Sequence, residues 1–264
     1  MKTIIAINGA CGRMSQRIAH LALEDSDLEI GAALEAEGHP KLHKDLGEVL
    51  GVGPLGIKIE PELPTNKVIN AVIDFSLPEG TMAVLASCVD KKIPMVIATT
   101  GHTPEQSREI ESAAHHIAIL MAPNMSLSVN VLFHLAKLTG QMLNNKDFDV
   151  EIIERHHRYK KDSPSGTALH FAKIIQAAMG QNEFRHGREG LVGERPRNEI
   201  GIHAVRVGDN SGEHTIIFST PGETLELTHR SQSRDSYAKG ALQAAKFLAD
   251  RPAGRYSMED VLGL

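Results

Sequence analysis

Apolar and polar positions along this chain follow a regular rhythm of short strands and longer helices. Residues 3–8 (Thr-Ile-Ile-Ala-Ile-Asn) form a β-branched run that reads as a strand, followed by a glycine-bearing turn and a helical pattern to about Glu24. The rhythm returns as strand 28–34, strand 71–75, helix 78–91, strand 94–98, helix 103–115 and strand 117–121. Thr103, Pro104 and Gln106 spell a capping-box start for the helix that follows them. Residues 41–65, rich in Gly and Pro with a short helical pattern at 45–50, read as a mostly irregular excursion. Short strands separated by helices specify a parallel sheet with right-handed crossovers.

After Ser126 the rhythm changes. A long helical pattern at 128–143 leads into a strand ending at Glu154 (Val150, Ile152, Ile153), then a basic loop, then a helix at 168–178. Runs at 201–206, 213–219 and 223–229, joined by turn residues, predict an antiparallel or mixed open sheet. Residues 181–197 carry charge, Gly and Pro without periodicity and read as a long loop. The last helix, 236–250, bears Ala241, Leu242, Ala244, Ala245, Phe247 and Leu248, which suit burial against the first domain. That places residues 1–126 and 236–264 in one discontinuous domain and 127–235 in a second, α+β domain.

A formal net charge of −5 over 264 residues argues against a nucleic-acid partner and favours a small anion bound at a local basic site. The opening Met1-Lys2-Thr3-Ile4-Ile5 runs into a strand pattern with no leader-like segment, and no apolar run approaches membrane-spanning length. The expectation is a cytoplasmic protein without a membrane partner. Cys11 and Cys88 fit no metal-ligand spacing, so reduced thiols and no metal centre are expected.

Two stretches concentrate chemistry. The first is Gly9-Ala10-Cys11-Gly12-Arg13-Met14-Ser15, lying between strand and helix, with Glu35 closing the next strand. Glycines at such a turn bring backbone N–H groups to a pyrophosphate, and an acid at that second strand end takes ribose hydroxyls. A plain βαβ turn in another doubly wound protein is the alternative. The other strand ends carry Asp74-Phe75-Ser76, Thr99-Thr100-Gly101 and Ala122-Pro123-Asn124-Met125-Ser126, small or turn-forming residues suited to a cofactor across the sheet edge. The fold expected is α/β, a Rossmann-like doubly wound parallel sheet domain plus the second α+β domain with its open mixed sheet.

The second stretch is 154–167, Glu-Arg-His-His-Arg-Tyr-Lys-Lys-Asp-Ser-Pro-Ser-Gly-Thr. Two histidines and two lysines can carry a proton near neutral pH or bind an anion. Asp162 or Ser163 before Pro164 and Ser165-Gly166-Thr167 looks like a helix start, whose free N–H groups favour a carboxylate or phosphate. One loop can then hold a dianion and protonate it. Taken alone, such a basic run is more often a solvated loop or phosphate-backbone patch. A metal hydrolase is disfavoured, since adjacent histidines alternate sides and no third ligand is spaced to join them. His115-His116, in the last turn of a helix, is expected only to complement its dipole.

With these residues in view, the whole chain resembles the dihydrodipicolinate reductase family of lysine and diaminopimelate synthesis. The resemblance is carried by Glu154-x-His156-His157-Arg158-x-Lys160-x-Asp162-x-Pro164-Ser165-Gly166-Thr167-Ala168, and by Gly9-x-x-Gly12-Arg13-Met14, Asp74-Phe75-Ser76 and Thr99-Thr100-Gly101. Residues 202–206 (Ile-His-Ala-Val-Arg), 212–215 (Gly-Glu-His-Thr) and 228–230 (Thr-His-Arg) support it. It implies nicotinamide-dependent reduction of a cyclic imine dicarboxylate formed from a 4-hydroxy precursor, with hydride delivered to ring carbon 4 and a proton beside it. By similarity His156 is the general acid/base and Lys160 the proton donor, while His157, Lys160, Ser165, Gly166 and Thr167 hold the substrate. The cofactor residues implied are Gly9, Ala10, Cys11, Gly12, Arg13, Met14, Glu35, Ala98, Thr99, Thr100, Ala122, Pro123, Asn124 and Met125.

Three departures from the family pattern stand out. Ser15 replaces the usual third glycine and is expected to loosen helix–strand packing there. Ala98 stands where glycine is usual before Thr-Thr-Gly. Ala36 follows Glu35 where members using the phosphorylated cofactor often carry arginine, so NADH, NADPH or both are implied, with NADH at least as good. The family further implies a homotetramer built through the second domain's sheet, and domain closure with hinges near 125–127 and 234–236. Rival readings are an amino-acid dehydrogenase of related fold, and a non-catalytic protein that senses dinucleotides or binds nucleic acid. Residues 154–167 discriminate among them.

Overall fold

The computed structural model describes residues 2–264. In chain order the elements are β1 (Thr3–Asn8), α1 (Arg13–Glu24), β2 (Leu28–Leu34), α2 (Leu46–Leu50), β3 (Ile59–Glu60), β4 (Ala71–Asp74), α3 (Pro78–Lys91), β5 (Met95–Ile97), α4 (Pro104–Ala113) and β6 (Ala118–Met121). There follow α5 (Leu127–Leu143), β7 (Asp149–His156), α6 (Gly166–Met179), β8 (Glu183–Arg185), β9 (Glu199–Arg206), β10 (Glu213–Thr220), β11 (Glu223–Arg230), α7 (Asp235–Leu248), β12 (Gly254–Tyr256) and α8 (Met258–Leu262). The chain divides into two compact units: the described residues up to Leu127 together with Asp235–Leu264, and Ser128–Arg234. Among the described residues no helix is long and apolar enough to cross a membrane.

The first unit is a doubly wound α/β layer. Its seven strands run in the order β12-β6-β5-β4-β1-β2-β3, with parallel pairing. β1 is buried on both faces: Ile5 and Ile7 join one apolar cluster with α1 and α7, and Ala6 joins the other with α3 and α4. That is why the strand reads as an unbroken apolar run. The chain leaves β1 for β2 on one side and later returns to β4 on the other. A crevice therefore opens at the carboxyl ends of β1 and β4, where doubly wound sheets bind ligands. α7 closes against this unit through Gly240, whose absent Cβ would lie 1.7 Å from the Met125 carbonyl oxygen.

The second unit is an open mixed sheet, β11-β10-β7-β9-β8. β10 pairs antiparallel with β11 and β7, whereas β9 pairs parallel with β7 and β8. Val150, Ile152, Ile202, Ile216 and Phe218 face α5 and α6, packing on Phe133, Phe171 and Ile175. Strict alternation along β7 puts Glu154 and His156 on that same covered face.

Several expected boundaries move. β7 runs to His156, so the histidine sits on a strand end held by β9 and not in the loop. α4 ends at Ala113, leaving His115 and His116 in the turn beyond it instead of in a last helical turn. The excursion at 41–65 contains β3, the loop at 181–197 contains β8, and the tail beyond 250 supplies β12 and α8. Strands of two or three residues are too short to show a period of two; neighbours fix them.

Candidate active site

Each unit carries a cluster of candidate site residues of its own. In the first, Gly9 follows β1 with φ +72°, and a Cβ there would meet Ser76 Cα at 3.0 Å and the Phe75 oxygen at 3.2 Å. Only glycine permits this turn to lie so close to the end of β4. The Ala10 N–H bonds the Leu34 carbonyl at 2.9 Å, the Gly12 N–H bonds the Gly9 carbonyl at 2.9 Å, and the Cys11 N–H bonds Glu35 Oε2 at 2.9 Å. Glu35 Oε1 takes the Ala36 N–H at 3.0 Å. Gly9, Cys11, Gly12, Glu35, Ser76 and Gly80 are among the walls of a cleft of about 440 Å³. Arg13 is exposed at the start of α1, and Met14 packs on the core.

Ser15 is fully buried, its hydroxyl 3.5 Å from the Asn8 carbonyl. The extra atoms lie buried inside the turn.

The strand ends that flank the cleft are tied to one carboxylate. Asp74 is fully buried and accepts from Asn8 Nδ2 at 2.8 Å, Ser76 Oγ at 2.5 Å, Thr81 Oγ1 at 2.6 Å and Thr99 Oγ1 at 2.8 Å. The Ala98 N–H bonds the Asp74 carbonyl at 2.9 Å and the Ala122 N–H bonds Ile97 at 3.1 Å. Thr100 and Pro123 are exposed, Met125 is buried, and buried Asn124 caps the segment by accepting the Ser126 N–H at 2.9 Å. Cys11, Glu35 and His39 bring ligand-type atoms within 4.8 Å of one another. Glu35 is already bonded to two N–H groups, His39 Nδ1 faces the Lys41 N–H at 3.2 Å, and burial together with Glu35 pushes the Cys11 thiol up to about 11. The trio is a wall of the cleft.

In the second unit the site is built on Glu154, which is fully buried. His156 Nδ1 lies 2.6 Å from Glu154 Oε2. Arg206, facing His156 from β9, grips the same carboxylate with two nitrogens at 2.8 Å each, and reaches the Asp162 carbonyl at 2.8 Å. The Ser165 N–H bonds Glu154 Oε1 at 2.9 Å. Ser165 itself caps α6, its hydroxyl accepting from the Ala168 N–H, so the cap is neither Asp162 nor Ser163. Gly166 and Thr167 then form the first turn of α6, where N–H groups have no carbonyl one turn back. Gly166 is exposed, with no atom within 4 Å of the place a Cβ would take.

Lys160 Nζ pairs with Asp162 at 2.9 Å, and Asp162 is 62% exposed, so water weakens this bond and leaves the lysine available to another anion. His157 keeps a buried Nδ1 without a hydrogen-bond partner among the described residues. His214, opposite Glu154 on β10, stands edge-on to His156 at 5.4 Å, with Nε2 3.3 Å from the Ser165 hydroxyl. One face of one sheet thus joins His156, the α6 N-terminus and the 157–165 loop.

Sequence reading missed Glu154, Arg206, His214 and Asp74 as functional positions, although each lay within a stretch it quoted. The signal was present in β7: Val150, Ile152, Glu154 and His156 share a parity, and a carboxylate on an apolar face must be paired.

Burial alone would raise the Glu154 carboxyl, but His156, Arg206 and the Ser165 N–H outweigh it and hold it at about 2. Burial also opposes Glu151, yet Arg188, His203 and Arg195 bring it to about 2. Burial, then His156, lowers His214 to about 3. All three bind protons less readily folded than unfolded, so the stability they confer is lost on acidification. Urea-unfolding midpoints are expected to fall modestly from pH about 6.5 as His214 resists protonation, then steeply below pH about 4.5, the ordinary glutamate range. A midpoint that stays flat from pH 7 to about 3 would contradict this.

The family model "Dihydrodipicolinate reductase, N-terminus" matches residues 3–125, and "Dihydrodipicolinate reductase, C-terminus" matches 128–262. A 4-hydroxy-tetrahydrodipicolinate reductase of Syntrophotalea carbinolica is 43% identical over 98% of this chain and 98% of its own. One from Methanocaldococcus jannaschii is 40% identical over 98% and 97%. A solved dipicolinate-bound dihydrodipicolinate reductase from Paenisporosarcina sp. TG-14 shares the fold, with TM-score 0.77 and 24% identity over 97% of this chain and 98% of that one.

Proposed function

The chain belongs to the dihydrodipicolinate reductase family, and from that premise we propose how its residues perform the reduction of 4-hydroxy-tetrahydrodipicolinate to tetrahydrodipicolinate in lysine and diaminopimelate synthesis. Water leaves the substrate, ring carbon 4 gains a hydride, and the adjoining carbon gains a proton. The observation that carries the reading is one buried strand end bearing His156, followed directly by the loop that carries Lys160 and leads into the α6 N-terminus.

The bound nicotinamide supplies the hydride. The Gly9 turn, which a Cβ would fill, and the Glu35 carboxylate at the end of β2 suit a dinucleotide lying across the carboxyl ends of β1 and β4. The N–H groups of the first turn of α1, at Arg13 and Met14, would take the pyrophosphate, with the turn from Gly9 to Gly12, whose Ala10, Cys11 and Gly12 N–H groups bond within the fold, shaping its approach. Ala98, Thr99, Thr100 and Ala122 to Met125 would hold the nicotinamide end.

In the second unit Ser165, Gly166 and Thr167 hold one substrate carboxylate on the α6 N-terminus, and His157 and Lys160 take the other. His156 exchanges a proton as general acid/base, and Lys160 donates the proton that follows the hydride. The enzyme acts as a cytoplasmic homotetramer, with the exposed strand β11 extending the sheet face that a second copy covers. Dipicolinate, the planar dicarboxylate, is expected to inhibit competitively against substrate, whereas pyridine-2-carboxylate should bind at least about tenfold more weakly, the loss of one carboxylate contact of about 1.4 kcal/mol. Equal inhibition by both would remove the two-carboxylate reading.

Cofactor choice follows from Glu35. Its carboxylate is fixed by the Cys11 and Ala36 N–H groups where a 2′-phosphate would come, and Ala36 offers no guanidinium. Arg13, exposed on α1, compensates in part. Both cofactors are expected to serve, with NADH at least as good in kcat/KM. A preference for NADPH of about tenfold or more, 1.4 kcal/mol, would contradict this.

A further inference from the structure

Glu154 uses all of its bonding capacity. An ionised carboxylate offers about four lone-pair sites, and here four donors occupy them: His156 Nδ1 and Arg206 Nη1 on Oε2, Arg206 Nη2 and the Ser165 N–H on Oε1. We infer that Glu154 is a positioning residue, which fixes the tautomer of His156 and the start of α6 through one buried carboxylate. The inference rests on the role proposed above for His156.

Two consequences follow from the bonding. A carboxylate paired with arginine only accepts, so Nδ1 of His156 carries the proton and Nε2 is the nitrogen that exchanges one. Space at Nε2 is kept by Gly212: a Cβ there would lie 3.0 Å from it. Second, the Ser165 N–H is anchored one residue before the Gly166 and Thr167 amides, so the proton-exchanging ring and the carboxylate cradle share one reference point. A shift in either would be felt in both.

His156 is surrounded by Glu154 on its own strand, Arg206 on β9 and His214 on β10, with the Lys160–Asp162 pair in the adjoining loop. His156 and Arg206 draw on the same carboxylate oxygen of Glu154.

The test uses the full-length enzyme. Glu154→Gln has the same shape but places an NH2 against one of the existing donors. It is expected to lower kcat about 100-fold and to raise KM for the substrate several-fold. In 15N spectra of wild type, the neutral His156 ring should show Nδ1 protonated, and in Glu154→Gln a mixture of tautomers. NADH affinity, read by its fluorescence, should be unchanged in Glu154→Gln. A Glu154→Gln enzyme with kcat within about threefold of wild type would overturn the inference, as would a wild-type ring protonated at Nε2. Absence of any reductase activity in wild type would instead remove the proposed reaction, while the tautomer of His156 would still be readable.

Discussion

Lys160→Ala is expected to lower kcat by about two to four orders of magnitude, with NADH binding unaffected. The lysine is held on the loop by a largely exposed Asp162, 2.9 Å away, a pairing that water screens and a bound dicarboxylate can replace. Lysine can give a proton only while charged, and substrate carboxylates near it favour that form. Lys160→Arg separates two duties. It keeps the positive charge, so KM should change little, but a guanidinium does not give up its proton near neutral pH. Its kcat should fall almost as far as that of the alanine variant. Steady-state kinetics with both variants make the check, and a Lys160→Ala enzyme within about threefold of wild-type kcat would remove the proton-donor role.

The second large effect is structural and lies in the other unit. Asp74→Ala deletes a buried carboxylate that serves Asn8, Ser76, Thr81 and Thr99. Each donor left without a partner costs about 1–3 kcal/mol, against a total stability of about 5–15 kcal/mol for a domain. Those donors belong to the ends of β1, β4 and β5 and to α3, so the cleft's edges lose their common anchor. Urea unfolding followed by circular dichroism should show a midpoint well below wild type, and NADH should bind at least about tenfold more weakly, or 1.4 kcal/mol. Asp74→Asn, which keeps shape and some acceptor capacity, should fall between. If Asp74→Ala unfolded within about 1 kcal/mol of wild type, the hub would be dispensable and neighbouring hydroxyls must re-pair.

Much of this was legible from residue order. The β1 run, the Gly9 turn and Glu35 announced the cleft at the ends of β1 and β4 because each depends on local chemistry: a buried strand, a positive φ and an acid at a strand end. Positions 154–167 announced the cluster in the second unit for the same reason, since one continuous segment carries its histidines, lysine and helix start. What stayed hidden depends on partners distant in sequence. Arg206 meets Glu154 only because β9 pairs parallel with β7, and His214 only because β10 pairs antiparallel on the other side. β8 and β12 were invisible because their three-residue lengths are set by the neighbouring strands β9 and β6. The burial of the Ser15 hydroxyl was likewise not visible from the glycine pattern.

The central claim is the reduction itself, and the most direct test follows NADH absorbance when the purified protein meets the fresh condensation product of pyruvate and aspartate semialdehyde. Rapid oxidation of NADH, absent without protein and lost in Lys160→Ala, is the expected result. If neither NADH nor NADPH is consumed while both bind, the dinucleotide reading of the first unit stands, the substrate assignment is wrong, and the segment from His156 to Thr167 serves a different dianion.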